Sequence, residues 1–314
     1  MKFRLTALTL LAAILLAACL SSPEGSSPQT PTLRPAQGGA SGGLRVLATT
    51  TFLADIAQNV AGQRVEVASL IPVGVDPHEY QLTPQDTTRI SQSRVLIANG
   101  VGYETWLQKT LDSVGGQRVE VIASTGLTPH PVTSGGHPEG DPHLWLDPNN
   151  VIQYVENIRD GLTQADPAGA SVYKANAAAY IKQLKSLDTW ITEQVNQVPP
   201  EKRMLVTNHE AFGYFAARYG FKIIGTIIPS LSTEASPSAQ QMAALIDQIK
   251  ATKAPAIFVE VGVNTNMAEQ IASETGTKVV SDLYLETLSA KNGPAPDYIS
   301  MMKYDVTQIV EALK

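Results

Sequence analysis

Residues 168–197 read AGASVYKANAAAYIKQLKSLDTWITEQVNQ and predict one long amphipathic helix. Apolar residues recur along this stretch at steps of three and four, which places one apolar stripe on a helix. Pro167 before it and Pro199 and Pro200 after it mark the two ends. At 1.5 Å per residue, such a helix is a rod of roughly 45 Å. A rod of this length can join two lobes, pack along both and resist wide hinge opening.

Strand-like apolar runs alternate with helical patterns on both sides of this helix. Four candidate strands precede it, at Leu44–Thr50, Val65–Ile71, Val95–Ala98 and Val119–Ala123. Four more follow it, at Met204–Thr207, Lys222–Ile228, Ala256–Val259 and Lys278–Ser281. Alternation at this spacing is typical of a mainly parallel sheet with helices on both faces. The sequence therefore predicts an α/β protein of two lobes, each a mainly parallel four-stranded sheet with flanking helices, joined by one long helix.

The first 18 residues have the pattern of a secretory signal peptide. Two basic residues precede an almost wholly apolar run, Leu5–Leu16, and small residues follow it. The run is shorter than the roughly 20 residues that a membrane-spanning helix needs. The quartet Leu16-Ala17-Ala18-Cys19 resembles the bacterial lipobox, which implies cleavage before Cys19 and lipidation of that residue. In the alternative, an ordinary signal peptide, the only cysteine of the chain would be incidental.

Ser, Pro and Gly dominate the next stretch, residues 20–43, which read LSSPEGSSPQTPTLRPAQGGASGG. Such a composition cannot bury enough apolar surface to become ordered, so we predict a disordered tether that spans roughly 25–30 Å. The protein is then extracytoplasmic and held at the cell membrane by its lipid. The predicted organisation is a signal peptide (1–18), the lipidated cysteine with its linker (19–43), an N-terminal lobe (44–165), the long helix (166–199) and a C-terminal lobe (200–314).

The net charge argues against nucleic acid as a partner. The 314-residue chain has a formal net charge of −6. Removal of the signal peptide takes away Lys2 and Arg4 and makes the mature chain more acidic still. Phosphate binding needs clustered Lys and Arg, which this composition does not suggest.

Three of the five histidines follow strand-like runs, where ligands collect in open α/β sheets. His78 and His143 each end an Asp-Pro-His motif, and His209 follows the strand at Met204–Thr207. The proline stiffens the turn that presents each imidazole. Asp282 directly follows the run Lys278–Ser281 and belongs to the same class. Taken singly, a residue of this kind at a strand end is more often an ordinary turn or core residue than a ligand.

Together the four residues have the chemistry of a metal site. Imidazole suits zinc, copper, nickel and iron, and a carboxylate adds preference for harder ions such as manganese. Three histidines and one carboxylate form a closed four-coordinate set, which holds zinc without activating a water. The sequence predicts that they converge in the cleft between the lobes.

Five segments resemble the zinc/manganese cluster of ABC-importer solute-binding lipoproteins. They are VGVDPHEYQLTPQD (74–87), DPHLWLDPNN (141–150), TNHEAFGYFAARYGF (207–221), EASPSAQQM (234–242) and SDLYLETLS (281–289). The resemblance covers essentially all of residues 44–314, in matching order and spacing. It implies metal ligands at His78, His143, His209 and Asp282, the first two from the N-terminal lobe and the last two from the C-terminal lobe.

The resemblance also implies a function, which is capture of Zn²⁺ or Mn²⁺ in the cleft and delivery to an ABC permease by a monomeric binding protein. His209 favours zinc, because manganese-preferring relatives often have Glu there. The short loop 128–141 weakens that preference, because zinc-specific relatives often have a long His-rich loop. Its two histidines, His130 and His137, are expected to be solvent-exposed. The alternatives are a manganese-specific protein of the same type and a surface adhesin lipoprotein with a structural metal.

A zinc hydrolase is the competing class. His209-Glu210 begins like a His-Glu-x-x-His motif, but residue 213 is Gly. Four protein ligands also leave no position for a reacting water. We therefore predict that the protein is not an enzyme.

Residues around the predicted ligands have expected supporting roles. A carboxylate or carbonyl commonly holds the second ring nitrogen of a metal-bound histidine. The nearby candidates are Asp76, Glu79, Asp141 and Glu210. Asp76 and Asp141 could instead cap local turns. The aromatic residues of these segments, Trp145, Phe212 and Tyr214, are expected only to pack between the lobes.

Overall fold

A computed structural model describes residues 43–132 and 138–314. Cys19, the signal peptide, almost all of the linker and His137 lie outside this range. The described strands are β1 Val46–Ala48, β2 Val67–Ser69, β3 Val95–Ala98, β4 Val119–Ile122, β5 Met204–Thr207, β6 Lys222–Thr226, β7 Ala256–Glu260 and β8 Lys278–Leu283. The described helices are α1 Thr51–Ala61, α2 Pro84–Gln92, α3 Leu107–Val114, α4 Pro148–Ala165, α5 Ala170–Val195, α6 Gly213–Tyr219, α7 Ala239–Thr252, α8 Asn266–Thr275 and α9 Tyr298–Leu313. None of these helices is long and apolar enough to cross a membrane.

The strands form two four-stranded sheets with the same topology. The first has the order β2-β1-β3-β4 and the second the order β6-β5-β7-β8, and every pairing is parallel. The predicted α/β fold with two parallel sheets is confirmed. Because all strands of one sheet run the same way, the segments after their carboxyl ends share one edge. That edge carries residues of the candidate site in both lobes.

Capping residues set the starts of several helices as the sequence dictates. Thr83 accepts a hydrogen bond from the backbone of Asp86, whose side chain accepts in return from the backbone of Thr83. Ser238 and Gln241 form the same reciprocal box before α7. Asp147 caps α4, which has a proline in its first turn. These caps fix where the chain leaves each strand-end turn and enters a helix.

The long helix α5 has 26 residues and one buried stripe. Its buried side chains are Tyr173, Ala177, Tyr180, Leu184, Leu187, Ile191 and Val195. They recur at steps of three and four, so the stripe keeps one orientation for the full length of the helix. Through it α5 packs against α1 and α4 of the N-terminal lobe and α9 of the C-terminal lobe.

One apolar core runs through both lobes. Side chains of both sheets and of α5 belong to a single buried cluster, which includes Val95 from β3 and Phe258 from β7. Smaller clusters cover the outer faces of the two sheets. A large rotation of one lobe against the other would expose the shared core, at roughly 25 cal/mol per Å² of apolar surface. The architecture therefore favours local over global opening.

A partly buried carboxylate also connects the lobes. Asp55 lies on α1, and its Oδ2 accepts a hydrogen bond of 3.0 Å from the backbone N–H of Tyr298 at the start of α9. Burial raises the pKa of Asp55 to about 6, and the nearby charge of Asp297 adds to the rise. The folded protein therefore binds a proton at Asp55 more tightly than the unfolded chain does.

This pKa predicts how the stability depends on pH. The contribution of Asp55 is fully present below its ordinary pKa of 3.8 and is lost as pH rises through about 6. An Asp55→Asn variant has no carboxyl group to titrate, so it does not lose this contribution as pH rises. The free energy of unfolding of the variant minus that of the wild type should therefore increase by about 2–3 kcal/mol from pH 4 to pH 7. Urea unfolding at several pH values measures the difference. The matched control is Asp247→Asn, at an exposed position of α7. An equal pH dependence in Asp55→Asn and wild type would contradict the prediction.

Candidate metal centre

Three imidazoles and one carboxylate meet between the lobes. The Oε1 atom of Glu286 lies 3.1 Å from Nε2 of His78, 3.2 Å from Nε2 of His143 and 3.7 Å from Nε2 of His209. The Nε2 atoms of His143 and His209 are 3.2 Å apart. One ligand atom from each of the four residues lies within 4.8 Å of the other three. The structure thus brings together the three histidines expected from the sequence.

The cluster is closed to solvent. The side chains of His143 and His209 are 0 % exposed, that of Glu286 is 4 % exposed and that of His78 is 5 % exposed. Buried ionisable groups need partners of opposite charge or a bound ion to offset the loss of hydration. Glu286 supplies such a partner to the three histidines, and they supply it to Glu286.

The two Asp-Pro-His motifs fold into the same turn. Asp76 Oδ1 accepts a 2.9 Å hydrogen bond from the backbone N–H of His78, and Asp141 Oδ1 accepts one of 2.9 Å from that of His143. An aspartate that bonds the backbone two residues ahead defines an Asx turn. The predicted turn-capping role of both aspartates is therefore observed.

Carboxylates hold the outer ring nitrogens of two histidines. Nδ1 of His143 lies 2.8 Å from Asp141 Oδ1, and Nδ1 of His209 lies 2.6 Å from Glu260 Oε1. A carboxylate only accepts hydrogen bonds, so these Nδ1 atoms carry the hydrogen. Each ring therefore turns its Nε2 atom toward Glu286. Asp141 combines both roles considered for it, capping the turn and orienting the ring.

The pKa shifts of the cluster have opposite signs on its two sides. Burial by itself would lower the pKa of His143 and of His209. At His143 the carboxylates of Asp141 and Glu286 have the larger, opposite effect. At His209 the carboxylates of Glu260 and Glu286 have it. The pKa of both histidines is therefore raised. Burial raises the pKa of Glu286, but His78 and hydrogen bonds with the other two histidines outweigh it and hold that pKa well below its ordinary value. Protons on the imidazoles and the negative charge on Glu286 stabilise one another.

The prediction that Asp282 is the fourth member of this cluster is wrong. The strand was expected to end at Ser281, but β8 continues to Leu283, so Asp282 lies within the strand. Its side chain is exposed and accepts a hydrogen bond from Tyr304. Glu286 lies beyond the real end of the strand and turns into the cleft. The apolar residues Leu283 and Leu285 continue the alternation past Ser281, a signal that could have moved the strand end toward Glu286.

Glu260 is a second residue that the sequence reasoning missed. Glu210 was expected to support His209, but the structure places Glu260 there. Glu79, another candidate, is exposed. Glu260 directly follows the predicted strand Ala256–Val259, so the strand-end rule applied to His78 and His209 would also have selected it.

Trp145 does more than pack. Its ring stacks on Phe52 with centroids 4.4 Å apart, and its indole N–H donates a 2.8 Å hydrogen bond to the carbonyl of Leu285. Tyr298 Oη in turn donates a 2.6 Å hydrogen bond to the carbonyl of Trp145. These bonds fix the backbone beside Glu286 to the turn that follows His143. They hold the cluster residues of the two lobes in fixed positions relative to each other.

Tyr214 also bridges two segments, whereas Phe212 is buried and only packs. Tyr214 Oη donates a 2.6 Å hydrogen bond to the carbonyl of Asp141 and accepts one of 2.9 Å from the backbone N–H of His130. The ring of His130 stacks on that of Tyr214, with centroids 4.1 Å apart. His130 is exposed, as expected, and is absent from the cluster of four.

Comparison with known proteins identifies the family. Residues 46–312 match the family described as ZnuA, zinc-uptake complex component A, periplasmic. The chain belongs to this family. The resemblance seen in the five sequence segments is thereby confirmed over nearly the whole folded part.

Individual ZnuA-family relatives differ in the metal that their names give. The chain is 35% identical over 272 residues to the manganese-binding lipoprotein MntA of Halalkalibacterium halodurans, covering 86% of this chain and 89% of that protein. It is 36% identical over 268 residues to the iron-binding protein YfeA of Yersinia pestis, covering 85% of each chain. Among solved structures, the periplasmic zinc-binding protein TroA of Treponema pallidum matches with a TM-score of 0.79 at 28% identity, covering 87% of this chain and 99% of that one.

The bond between Tyr298 and Trp145 predicts a stability difference between two buried tyrosines. Tyr298→Phe leaves the carbonyl of Trp145 without its donor and should lower the free energy of unfolding by about 1–2 kcal/mol. Tyr180 is the matched control, because its buried hydroxyl has no hydrogen-bond partner among residues 43–132 and 138–314. Tyr180→Phe should be neutral or stabilising. Urea unfolding of both variants measures the difference, and equal effects would contradict the role given to the Tyr298 hydroxyl.

Proposed function

We propose that this protein captures a divalent metal ion, zinc in preference to manganese, between its lobes and delivers it to the permease of an ABC importer. One observation carries the proposal. Three Nε2 atoms and a carboxylate oxygen converge on a common point, while carboxylates hold the outer nitrogens of His143 and His209. This orientation leaves a lone pair on each Nε2 atom for an ion once its proton is lost.

The spacing supports a four-coordinate ion. Bonds of about 2.0–2.1 Å in a tetrahedron place neighbouring ligand atoms roughly 3.4 Å apart. The measured contacts of Glu286 Oε1 with the three Nε2 atoms, and of His143 with His209, range from 3.1 to 3.7 Å. All four ligand atoms lie within 4.8 Å of one another, and an ion would take the place of the protons that link them.

The ligand set supports zinc. Three imidazole nitrogens and one oxygen suit zinc better than manganese, which prefers oxygen. Three carboxylates, those of Glu286, Asp141 and Glu260, lie in or directly against the cluster and offset the charge of a divalent ion. Four protein ligands fill a tetrahedral shell, which supports holding and release of the ion rather than chemistry on a bound water.

A lipid anchor completes the proposal. Cleavage before Cys19 and lipidation of its thiol would hold the folded part near the membrane by a flexible linker. The relatives named above include a lipoprotein. A monomeric binding protein held in this way could meet its permease without leaving the membrane surface.

Removal of Glu286 tests the proposed site directly. Glu286→Ala should weaken zinc binding by at least roughly 100-fold, because loss even of an outer-shell partner typically costs 10–100-fold. Asp282→Ala is the matched control in the same segment and should bind zinc as the wild type does. Isothermal titration of metal-free protein with zinc, and with zinc in competition with manganese, measures both. Absence of zinc binding by the wild type would overturn the proposal, and loss on Asp282→Ala alone would overturn the assignment of Glu286.

Metal removal separates a transported ion from a structural one. An importer's ion must leave, so the chelated protein should keep its native circular dichroism and a cooperative melt. The shared apolar core and the ion pairs within the cluster provide that stability without metal. Added zinc should raise the melting temperature only by mass action. Unfolding on chelation would favour the structural metal of the adhesin alternative.

A further inference from the structure

An ion in this site needs a route that the closed structure does not offer. All four proposed ligand side chains are at most 5 % exposed. The shared core and α5 oppose wide separation of the lobes, as described above. Opening by movement of a short segment is then the smaller change. This reasoning rests on the proposed function, since only a transported ion has to enter and leave.

One exposed part of the cover is the segment 72–76, which we call the strap. It ends two residues before His78 and reaches from the N-terminal lobe to the C-terminal lobe. The backbone N–H of Gly74 donates a 2.9 Å hydrogen bond to Thr287 Oγ1, next to Glu286. Asp76 Oδ2 accepts a 2.7 Å hydrogen bond from Thr233 Oγ1. Two hydrogen bonds thus hold the strap against the opposite lobe.

The strap also touches the opposite lobe through two glycines. Gly74 and Gly262 both have positive φ, +75° and +84°. A Cβ atom at Gly262 would lie 3.0 Å from the carbonyl oxygen of Gly74, which is closer than a side-chain carbon normally approaches backbone. Any residue larger than glycine at 262 would therefore push the strap outward.

Little apolar packing holds the strap in place. The side chain of Val73 at its tip is 49 % exposed, and Pro72 and Gly74 are exposed as well. A small cavity lies beneath it, lined by Val75, Asp76 and Pro77 from the strap side and by Glu260, Glu286 and Thr287 from the opposite lobe. The cavity reaches one of the four proposed ligands.

We propose that the strap is the gate of the metal site: release of its contacts with Thr233, Gly262 and Thr287 opens the path by which the ion enters and leaves. A gate has a distinct kinetic signature. While the strap is mostly closed, a variant that opens it more often speeds entry and exit by the same factor, so the dissociation constant stays constant. A variant that distorts the ligands instead raises the dissociation constant.

The test is the rate of zinc exchange in Gly262→Ala. Stopped-flow transfer of zinc from the loaded protein to excess chelator gives the exit rate, and mixing metal-free protein with zinc and a zinc indicator gives the entry rate. We expect both rates to rise roughly three- to tenfold, the effect of weakening about one hydrogen bond, with an unchanged dissociation constant. The matched control is Gly276→Ala, whose φ of +74° gives the same backbone strain while its Cβ would meet no atom within 4 Å. It should exchange zinc as the wild type does.

A second variant keeps the test decisive if Gly262→Ala fails to fold. Thr233→Val removes the hydroxyl that holds Asp76 and should also speed entry and exit in parallel. Unchanged rates in both variants, or a raised dissociation constant without parallel rates, would overturn the gate. A wild type that binds no zinc would instead overturn the proposed function, so the two failures are distinguishable.

Discussion

The structure depends on the mutual compensation of charge among four buried side chains. Glu286 is almost fully enclosed, and the three imidazoles around it offset its charge. The raised pKa of His143 and His209 and the lowered pKa of Glu286 express the same interaction from its two sides. A divalent ion placed among these atoms would take over the positive charge that protons provide without it. The closed form is therefore compatible both with a bound ion and with protonated histidines in its place.

The fold supplies the rigidity that this compensation needs. Asx turns set the backbone of His78 and His143, while Asp141 and Glu260 orient the rings of His143 and His209. Hydrogen bonds from Tyr298 to Trp145 and from Trp145 to Leu285 fix the segments of the two lobes relative to each other. The apolar core along α5 keeps both halves in place, and movement is left to short exposed segments.

Regular elements and the three histidines could be predicted from the sequence, because periodicity and strand ends are local signals. The strands β3 and β5 were predicted with their observed bounds. The prediction of Asp282 as a ligand was wrong because it placed the ligand directly after the predicted strand end at Ser281. The strand β8 ends two residues later, at Leu283, and a different side chain then follows it. The strand-end rule could have marked Glu260 as a candidate, but its contact with His209 depends on the pairing of β7 with β5, which joins distant segments of the chain.

The order of the ligands along the chain has a consequence for biosynthesis. His78 and His143 come from the first half, His209 from the second, and Glu286 only 28 positions before the end at Lys314. The helix α9, which anchors the segment beside Glu286 through Tyr298, comes later still. A chain synthesised from its N-terminus therefore lacks the complete cluster of four until Glu286 has been added, and lacks the anchor of that segment until α9 has formed. A product that stops before Glu286 carries at most the three histidines of the cluster.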